Sequence, residues 1–347
     1  MPEFTHRIVL VGCGSMSRGW LSAVRDHYPD RVEVVGLVDL HEPAAAARAA
    51  EFALAGCRVG SSLAEVLRAA RPDAVFNCTV PEAHAATCLL ALEAGCHVLV
   101  EKPLAASVAD GRLLAAAAAR AGKTLAVIQN RRYLPGAVAV RDALAAGVIG
   151  RVNALHADFF LGPRFGGFRE AMAHPLLQDM AIHTFDQARF LAGADARWVT
   201  CHEFNPPGSW FAAGASATAV FGMSGGVHFV YRGSWCARGF PTAWAGSWRV
   251  LGERGTLRWD GESHIEVERV RGPWDGREFI EPVETLTLAP AVLAEGRREH
   301  AGNLGEFLDA LDAGTAPQTA AADNLRSLAM VEGALASARD GRTVALA

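Results

Sequence analysis

Two short stretches of the 347-residue sequence carry residues whose types and spacing suit proton and hydride chemistry. The first is Val98-Leu99-Val100-Glu101-Lys102-Pro103-Leu104. Its β-branched apolar run reads as a strand buried on both faces, and in open α/β sheets ligands bind just beyond the carboxyl ends of the strands. Pro103 disfavours helix at Lys102, so the ammonium stands in an extended or turning segment at that end. There it can hold and polarise a hydroxyl or carbonyl oxygen. Taken alone, Lys-Pro reads better as a surface lysine in a turn; the rest of the chain reverses that preference. The second stretch runs from His174 to Ala188, where Pro175 opens a helix whose apolar residues recur through Leu191 up to Gly193. Asp179, His183 and Asp186 lie at i, i+4 and i+7 and project from one face, where Asp186 is expected to touch substrate. A carboxylate one turn from an imidazole orients it and stabilises its cation, which makes a general base near neutral pH. The spacing also suits a metal, but a helical di-metal site needs more ligands than one histidine supplies, and no metal is expected. A hydrogen-bonded histidine on a polar face is the plain alternative.

The elements that must position these residues read outward from them. Arg7 to Val11 is a buried-strand run that breaks into Gly12-Cys13-Gly14-Ser15-Met16-Ser17-Arg18-Gly19, ahead of a helical stretch from Trp20 to about His27. This is a dinucleotide-type turn. Gly12 allows the tight bend, and Gly14 lets the backbone approach a pyrophosphate resting on the helix N-terminus at Ser15 and Met16. Ser17 stands where a third glycine is usual and is still small enough for close helix–strand packing. The second strand, Val32 to Val38, ends at Asp39, at the chain distance expected of a carboxylate that binds a ribose diol. A carboxylate there repels a 2′-phosphate and favours NAD over NADP, while His41 and Arg48 nearby keep NADP possible. A solvated strand-end carboxylate is the other reading of Asp39. The strand Ala74 to Cys78 runs into Thr79-Val80-Pro81-Glu82-Ala83-His84, a polar loop that places Thr79 and His84 beside the nucleotide along with Glu101 and Lys102. His84 also reads as a helix-start histidine.

Strands alternate with helical patterns near Pro43 to Ala55, Leu63 to Ala70, Glu82 to Ala94 and Ser107 to Ala121, up to a last strand Thr124 to Ile128. Such alternation predicts βαβ units and a parallel sheet. The polar-cationic run Gln129 to Pro135 reads either as a hinge whose Arg131 and Arg132 face substrate or as a solvated charge pair in a linker. Beyond a short helix (about Gly136 to Ala146), strand-like runs follow at Val152 to Phe160, Trp198 to Phe204, Ala215 to Phe221, Val227 to Ser234, Trp248 to Leu251, Gly255 to Trp259 and His264 to Val270. Short strands in succession predict an antiparallel sheet. Two helices, near Arg297 to Ala313 and Ala322 to Asp340, finish the chain. The fold class is therefore α/β in two domains, 1–128 for the nucleotide and 129–347 for substrate binding and oligomerisation.

Composition narrows the function classes. A formal net charge of -4 argues against nucleic acid or an anionic membrane as partner. No apolar stretch reaches the ~18 residues of a membrane span. Met1 leads through Arg7 straight into a strand with no signal-peptide h-region, so a cytoplasmic protein is expected. The seven cysteines are scattered without a CxxC pair, which predicts reduced, mostly buried thiols.

Several segments together resemble one family. They are Val11-Gly12-Cys13-Gly14, Asn77 to His84, Ala91 to Val98 running into Glu101-Lys102-Pro103, the Asp179 to Asp186 helix and the closing Asn324 to Gly341 segment. The chain is similar over nearly its whole length to the Gfo/Idh/MocA oxidoreductases, the family of glucose-fructose oxidoreductase and inositol dehydrogenase. The resemblance implies a doubly wound Rossmann domain, then an α/β domain whose large, mainly antiparallel open sheet mediates homodimers or homotetramers. It also implies a Lys-Asp-His set at Lys102, Asp179 and His183, and a peptide bond before Pro103 that is often cis. Two departures stand out. Ser17 replaces a glycine, and His174-Pro175 replaces a glycine-rich approach to Asp179, either bringing an imidazole to the substrate or only reshaping the loop. The Trp235, Trp244 and Trp248 stretch suits apolar sugar faces or, the preferred reading, a subunit interface. The expected function is an NAD-dependent dehydrogenase of a secondary hydroxyl on a sugar, sugar derivative or inositol-like polyol. Alternatives are a redox-neutral enzyme with tightly held NAD (glycoside cleavage or epimerisation) and a nucleotide-bound regulatory protein, against which the intact Lys-Asp-His set argues.

Overall fold

A computed structural model describes residues 6–274 and 276–346. The chain divides into two compact units, the first taking the chain up to Tyr133 together with Leu293–Leu328, the second Leu134–Val292 and the chain from Ala329 onward. In the first unit the order is β1 (His6–Val11), α1 (Ser15–His27), β2 (Val32–Val38), α2 (Glu42–Glu51), β3 (Arg58–Gly60), α3 (Leu63–Ala70), β4 (Ala74–Asn77), α4 (Pro81–Glu93), β5 (His97–Val100), α5 (Val108–Ala121) and β6 (Leu125–Val127). The six strands pair in parallel in the order β3-β2-β1-β4-β5-β6. Ile8, Val9 and Leu10 are fully buried, as a strand covered on both faces requires. Ser62 and Ser107 cap α3 and α5 by accepting from the Glu65 and Asp110 N–H groups, which satisfies donors that a helix start leaves open.

The second unit holds α6 (Pro135–Ala145), β7 (Val152–Phe160), α7 (Phe168–Ala171), a π-helical turn (Pro175–Ala181), α8 (Ile182–Ala192), β8 (Ala196–Phe204), β9 (Ser216–Met223), β10 (His228–Ser234), β11 (Ser247–Gly252), β12 (Gly255–Trp259), β13 (Ile265–Val270) and β14 (Val283–Leu288). The chain then closes with α9 (Glu299–Ala313), α10 (Ala321–Asp340) and β15 (Val344–Ala345). The second sheet has nine strands in the order β14-β13-β12-β11-β7-β10-β9-β8-β15, with β7 and β10 parallel and the other neighbours antiparallel. Phe185 of α8 anchors that helix on the sheet, with its ring 4.8 Å from Phe221, 5.1 Å from Tyr231 and 6.1 Å from Phe229.

Two expectations are corrected here. Residues 293–328 belong with the first unit rather than with the second, and the first unit runs on to Tyr133. The cause is packing. Leu304, Phe307 and Leu308 of α9 are buried in the same cluster as Trp20, Tyr28 and Phe76, with Phe76 and Phe307 6.2 Å apart. Buried polar bonds add to this, the Gln129 N–H donating to Asn303 Oδ1 at 2.6 Å and Asn303 Nδ2 to Thr319 Oγ1 at 3.1 Å. The second correction concerns the tryptophans. Trp235 and Trp248 are buried in this chain's own core, stacked on Phe159 (5.4 Å) and Phe229 (6.0 Å), and only Trp244 of the three is exposed.

Candidate active site

At the glycine turn, a Cβ on Gly12 would lie 2.6 Å from the Cys78 carbonyl carbon, and its φ of +89° is one that L side chains rarely adopt. Gly14 is exposed, with nothing within 4 Å of where its Cβ would be. Helix α1 starts at Ser15 with no side-chain cap, so its first N–H groups keep their donors for a ligand, while Ser15 and Met16 are exposed at that end. Buried Ser17 donates to Gly14 O at 2.6 Å and so fits the third-glycine position. Asp39 follows β2, its carboxylate accepting from the Cys13 N–H (2.8 Å) and the His41 N–H (2.9 Å). Two backbone donors thus lock its orientation and leave lone pairs on both oxygens. Arg48 is buried, donates to Cys13 O (3.2 Å) and Gly14 O (3.0 Å), and pairs with Glu51. Its fork is thus used within the loop and by Glu51. These residues fit a bound dinucleotide.

Strands β4 and β5 bring a second group of residues to the same sheet edge. Asn77 Oδ1 accepts from both the N–H (3.1 Å) and the hydroxyl (2.6 Å) of half-buried Thr79. His84, read from sequence as facing the cofactor, is fully buried instead. Its ring nitrogens lie 2.7 Å from Pro103 O and 3.1 Å from Thr79 O. Burial lowers its pKa from the ordinary value, against the two carbonyl contacts and the Glu101 charge. A neutral imidazole has one N–H, and the shorter contact, to Pro103, is where it is best used. His84 thus clamps the turn that carries Lys102. Glu101 is also buried; it accepts from Trp20 Nε1 at 2.8 Å and from the Lys102 N–H at 3.1 Å. That braces the turn against α1. Lys102 itself is half-buried, and the Lys102–Pro103 peptide bond is cis.

In the second unit the helix expected from Pro175 onward is two pieces, a π turn carrying Asp179 and then α8 carrying His183 and Asp186. A π turn closes i→i+5, so the α-helical spacing assumed from sequence applies only from Ile182 onward. Asp179 accepts from Arg169 Nε at 3.0 Å, and His183 is buried to 9% exposure. Asp186, expected to touch substrate, is 2% exposed and lies 3.7 Å from Arg189, which also reaches Asp195 at 2.8 Å. Its burial makes it a brace within α8. Arg132, likewise expected to touch substrate, is buried and donates to Gln318 O (2.8 Å) and Asp323 Oδ2 (2.7 Å), holding the returning segment of its own unit. Arg131 is buried in the same turn. His174 is half exposed and meets Glu203, a residue that sequence reasoning missed because the two lie 29 positions apart. Trp20 and Arg169 were missed for the same reason, their partners Glu101 and Asp179 lying 81 and 10 positions away. Among the described residues no group of three or more His, Cys, Asp or Glu is placed to hold a metal, and all seven cysteines are free.

Comparison with known proteins adds to this geometry. The family described as an oxidoreductase family with an NAD-binding Rossmann fold matches residues 6–129, and the GFO/IDH/MocA C-terminal domain matches residues 137–258. D-apiose dehydrogenase of Paraburkholderia graminis is 33% identical over 97% of this chain and 88% of that protein. Inositol 2-dehydrogenase 4 of Saccharopolyspora erythraea is 27% identical over 96% and 94%. An oxidoreductase from Agrobacterium radiobacter, solved with NAD+, L-tartaric acid and magnesium, superimposes with a TM-score of 0.85 at 22% identity, covering 98% of each chain. The WlbA dehydrogenase of Bordetella pertussis, solved with NADH and UDP-GlcNAcA, gives 0.81 at 24% identity and 99% of each chain. The parallel Rossmann sheet and the family match define an NAD-dependent oxidoreductase. The chain belongs to the GFO/IDH/MocA family.

Proposed function

We propose that the protein is a dehydrogenase that oxidises a secondary hydroxyl of a sugar, sugar derivative or cyclic polyol. The observation that carries the reading is the placement of Lys102 directly after β5, on the sheet edge that also bears the glycine turn and Asp39. Its ammonium holds the hydroxyl oxygen and stabilises negative charge as the O–H bond breaks. His183 receives that proton, and Asp179 orients and charges-balances the imidazole. Bound NAD supplies the hydride acceptor, so the alcohol carbon becomes a carbonyl and one proton is released. The names of relatives, D-apiose dehydrogenase, inositol 2-dehydrogenase and D-glucoside 3-dehydrogenase, support a polyhydroxylated substrate.

The test is absorbance at the reduced-nicotinamide band while purified protein meets NAD, then NADP, with a panel of inositols, aldoses, amino sugars and anhydrosugars. A rise with NAD and one substrate class is expected. No rise with any member, with nucleotide released on denaturation, would replace this reading with a redox-neutral one. The open nine-stranded sheet supports assembly as a homodimer or homotetramer, and light scattering in solution tests it; a monomer at working concentration sinks that part. Among the described residues no helix is long and apolar enough to cross a membrane.

A further inference from the structure

His174 and Glu203 form a pair that the steps above do not use. Glu203 is the penultimate residue of β8, registered opposite Ala217 of β9. Its Oε2 lies 2.5 Å from His174 Nδ1. Its Oε1 is buried with no hydrogen-bond partner among the described residues. Gly214, at φ +49°, backs this oxygen: a Cβ there would lie 2.7 Å from Oε1 and 2.8 Å from Ala173 O. The pocket is therefore shaped to take a carboxylate out of water and give it one partner. Such burial costs stability unless the charge is paired, and here the pairing falls on one imidazole. Burial raises the pKa of the Glu203 carboxyl, with the His174 contact pulling it back down.

His174 is the opposite case. Its side chain is 41% exposed, and Nε2 has no hydrogen-bond partner among the described residues. It stands as the residue before the π turn that carries Asp179, with its carbonyl accepting from the Gln178 N–H at 2.9 Å. One turn thus separates it from Asp179 on the same segment. An acceptor at Nδ1 fixes the proton there and leaves Nε2 bare, the arrangement by which a carboxylate sets the tautomer of a histidine that must accept at its other nitrogen.

We infer that the His174–Glu203 pair is a substrate-recognition element, in which Nε2 of His174 accepts a hydrogen bond from a hydroxyl of the polyol other than the one oxidised. The inference rests on the polyol reading above and adds to it the group that discriminates among such substrates. Glu203 is a positioning residue, and Gly214 makes room for it. A site built to accept from a hydroxyl rejects the analogue that lacks it.

Two measurements test this on the full chain with saturating NAD. Histidine side-chain nitrogen correlations at neutral pH, with the His174 signal assigned by its loss in His174→Gln, should show the proton on Nδ1 and a bare Nε2. In Glu203→Gln that preference should weaken or invert. A wild-type signal with the proton on Nε2 overturns the inference. In kinetics on the best sugar of the panel, His174→Ala should raise KM about tenfold while kcat stays within twofold and the KM for NAD is unmoved. Gly214→Ala should act in the same direction by displacing Glu203. On the monodeoxy analogue lacking the contacted hydroxyl, wild type and His174→Ala should perform alike. An unmoved KM, or a fall in kcat alone, sinks the inference. If the wild type turns over no sugar, the dehydrogenase reading fails by itself, and the tautomer measurement still decides the pair.

Discussion

Lys102 is half-buried and its neighbours Glu101 and His84 are spent on holding the turn, so its ammonium is the group of that turn suited to chemistry. Lys102→Ala should lower turnover about a hundredfold or more while NAD affinity stays within twofold. Steady-state rates beside an NAD titration check this, and unchanged turnover would remove Lys102 from the reaction. Arg48 makes a different case. Because it donates to Cys13 O and Gly14 O, Arg48→Ala should weaken NAD and NADP binding alike, several-fold, by loosening the loop. A selective loss of NADP binding in the same titration would show it to be a phosphate clamp. A third residue sets a pH dependence. Burial and the Lys123 charge push the His97 imidazole from 6.5 down to about 4, and the Thr124 N–H donates to its Nδ1 at 3.0 Å, which requires that nitrogen bare. Between those two values the unfolded chain binds the proton that the native state refuses. The stabilisation is therefore complete above 6.5 and is lost as pH falls toward 4. Discounted for a half-exposed ring, the effect is on the order of 1 kcal/mol between pH 7 and 5. Urea midpoints at the two pH values should show a smaller acid loss in His97→Gln than in wild type.

At the scale of elements, the β1–α1 turn separates what folding needs from what the cofactor needs. Gly12 is required by the fold, since its φ of +89° and the Cys78 carbonyl 2.6 Å from its would-be Cβ leave no room for a side chain. Gly14 has φ -67° and open space around it, so the fold alone would accept alanine there. Gly12→Ala should therefore lower thermal stability by a few kcal/mol, about 1–3 for strain alone. Gly14→Ala should melt no earlier than wild type yet bind NAD at least tenfold more weakly, because a methyl group keeps the pyrophosphate off the backbone. Equal NAD affinity in Gly14→Ala would mean that the phosphates pass elsewhere. The π turn before α8 shows where the pattern in sequence misleads. Apolar spacing through Pro175 to Leu191 reads as one α-helix, and a single extra residue in the turn leaves that spacing almost unaltered. The edge strands β3, β14 and β15 were missed for a related reason: they are short or have no fully buried face, so they lack the apolar run by which a strand is recognised.

For the molecule as a whole, the return of α9 to the first unit decides how the nucleotide sheet is covered. Phe307 is fully buried against Phe76, and Phe307→Ala should cost about 3–5 kcal/mol, seen as a lowered urea midpoint. A change under 1 kcal/mol would mean that α9 adds little to that core. The sequence by itself determined the local chemistry. Strand runs, the Gly12 turn, Asp39 at the end of β2, and the Glu101-Lys102-Pro103 stop are all written in contiguous residues, because hydrophobic period, backbone freedom and proline geometry act over a few positions. Only the tertiary structure decided which of the polar residues remain for a ligand. Arg132 and Asp186 looked available, but partners 191 and 3 positions away claim them. His174 gained Glu203 across 29 positions, and α9 gained Phe76 across more than two hundred. Hydrogen-bond partners and docking faces are chosen by burial, which depends on how the whole chain packs, and an amphipathic helix carries in its own residues no record of which sheet it will cover.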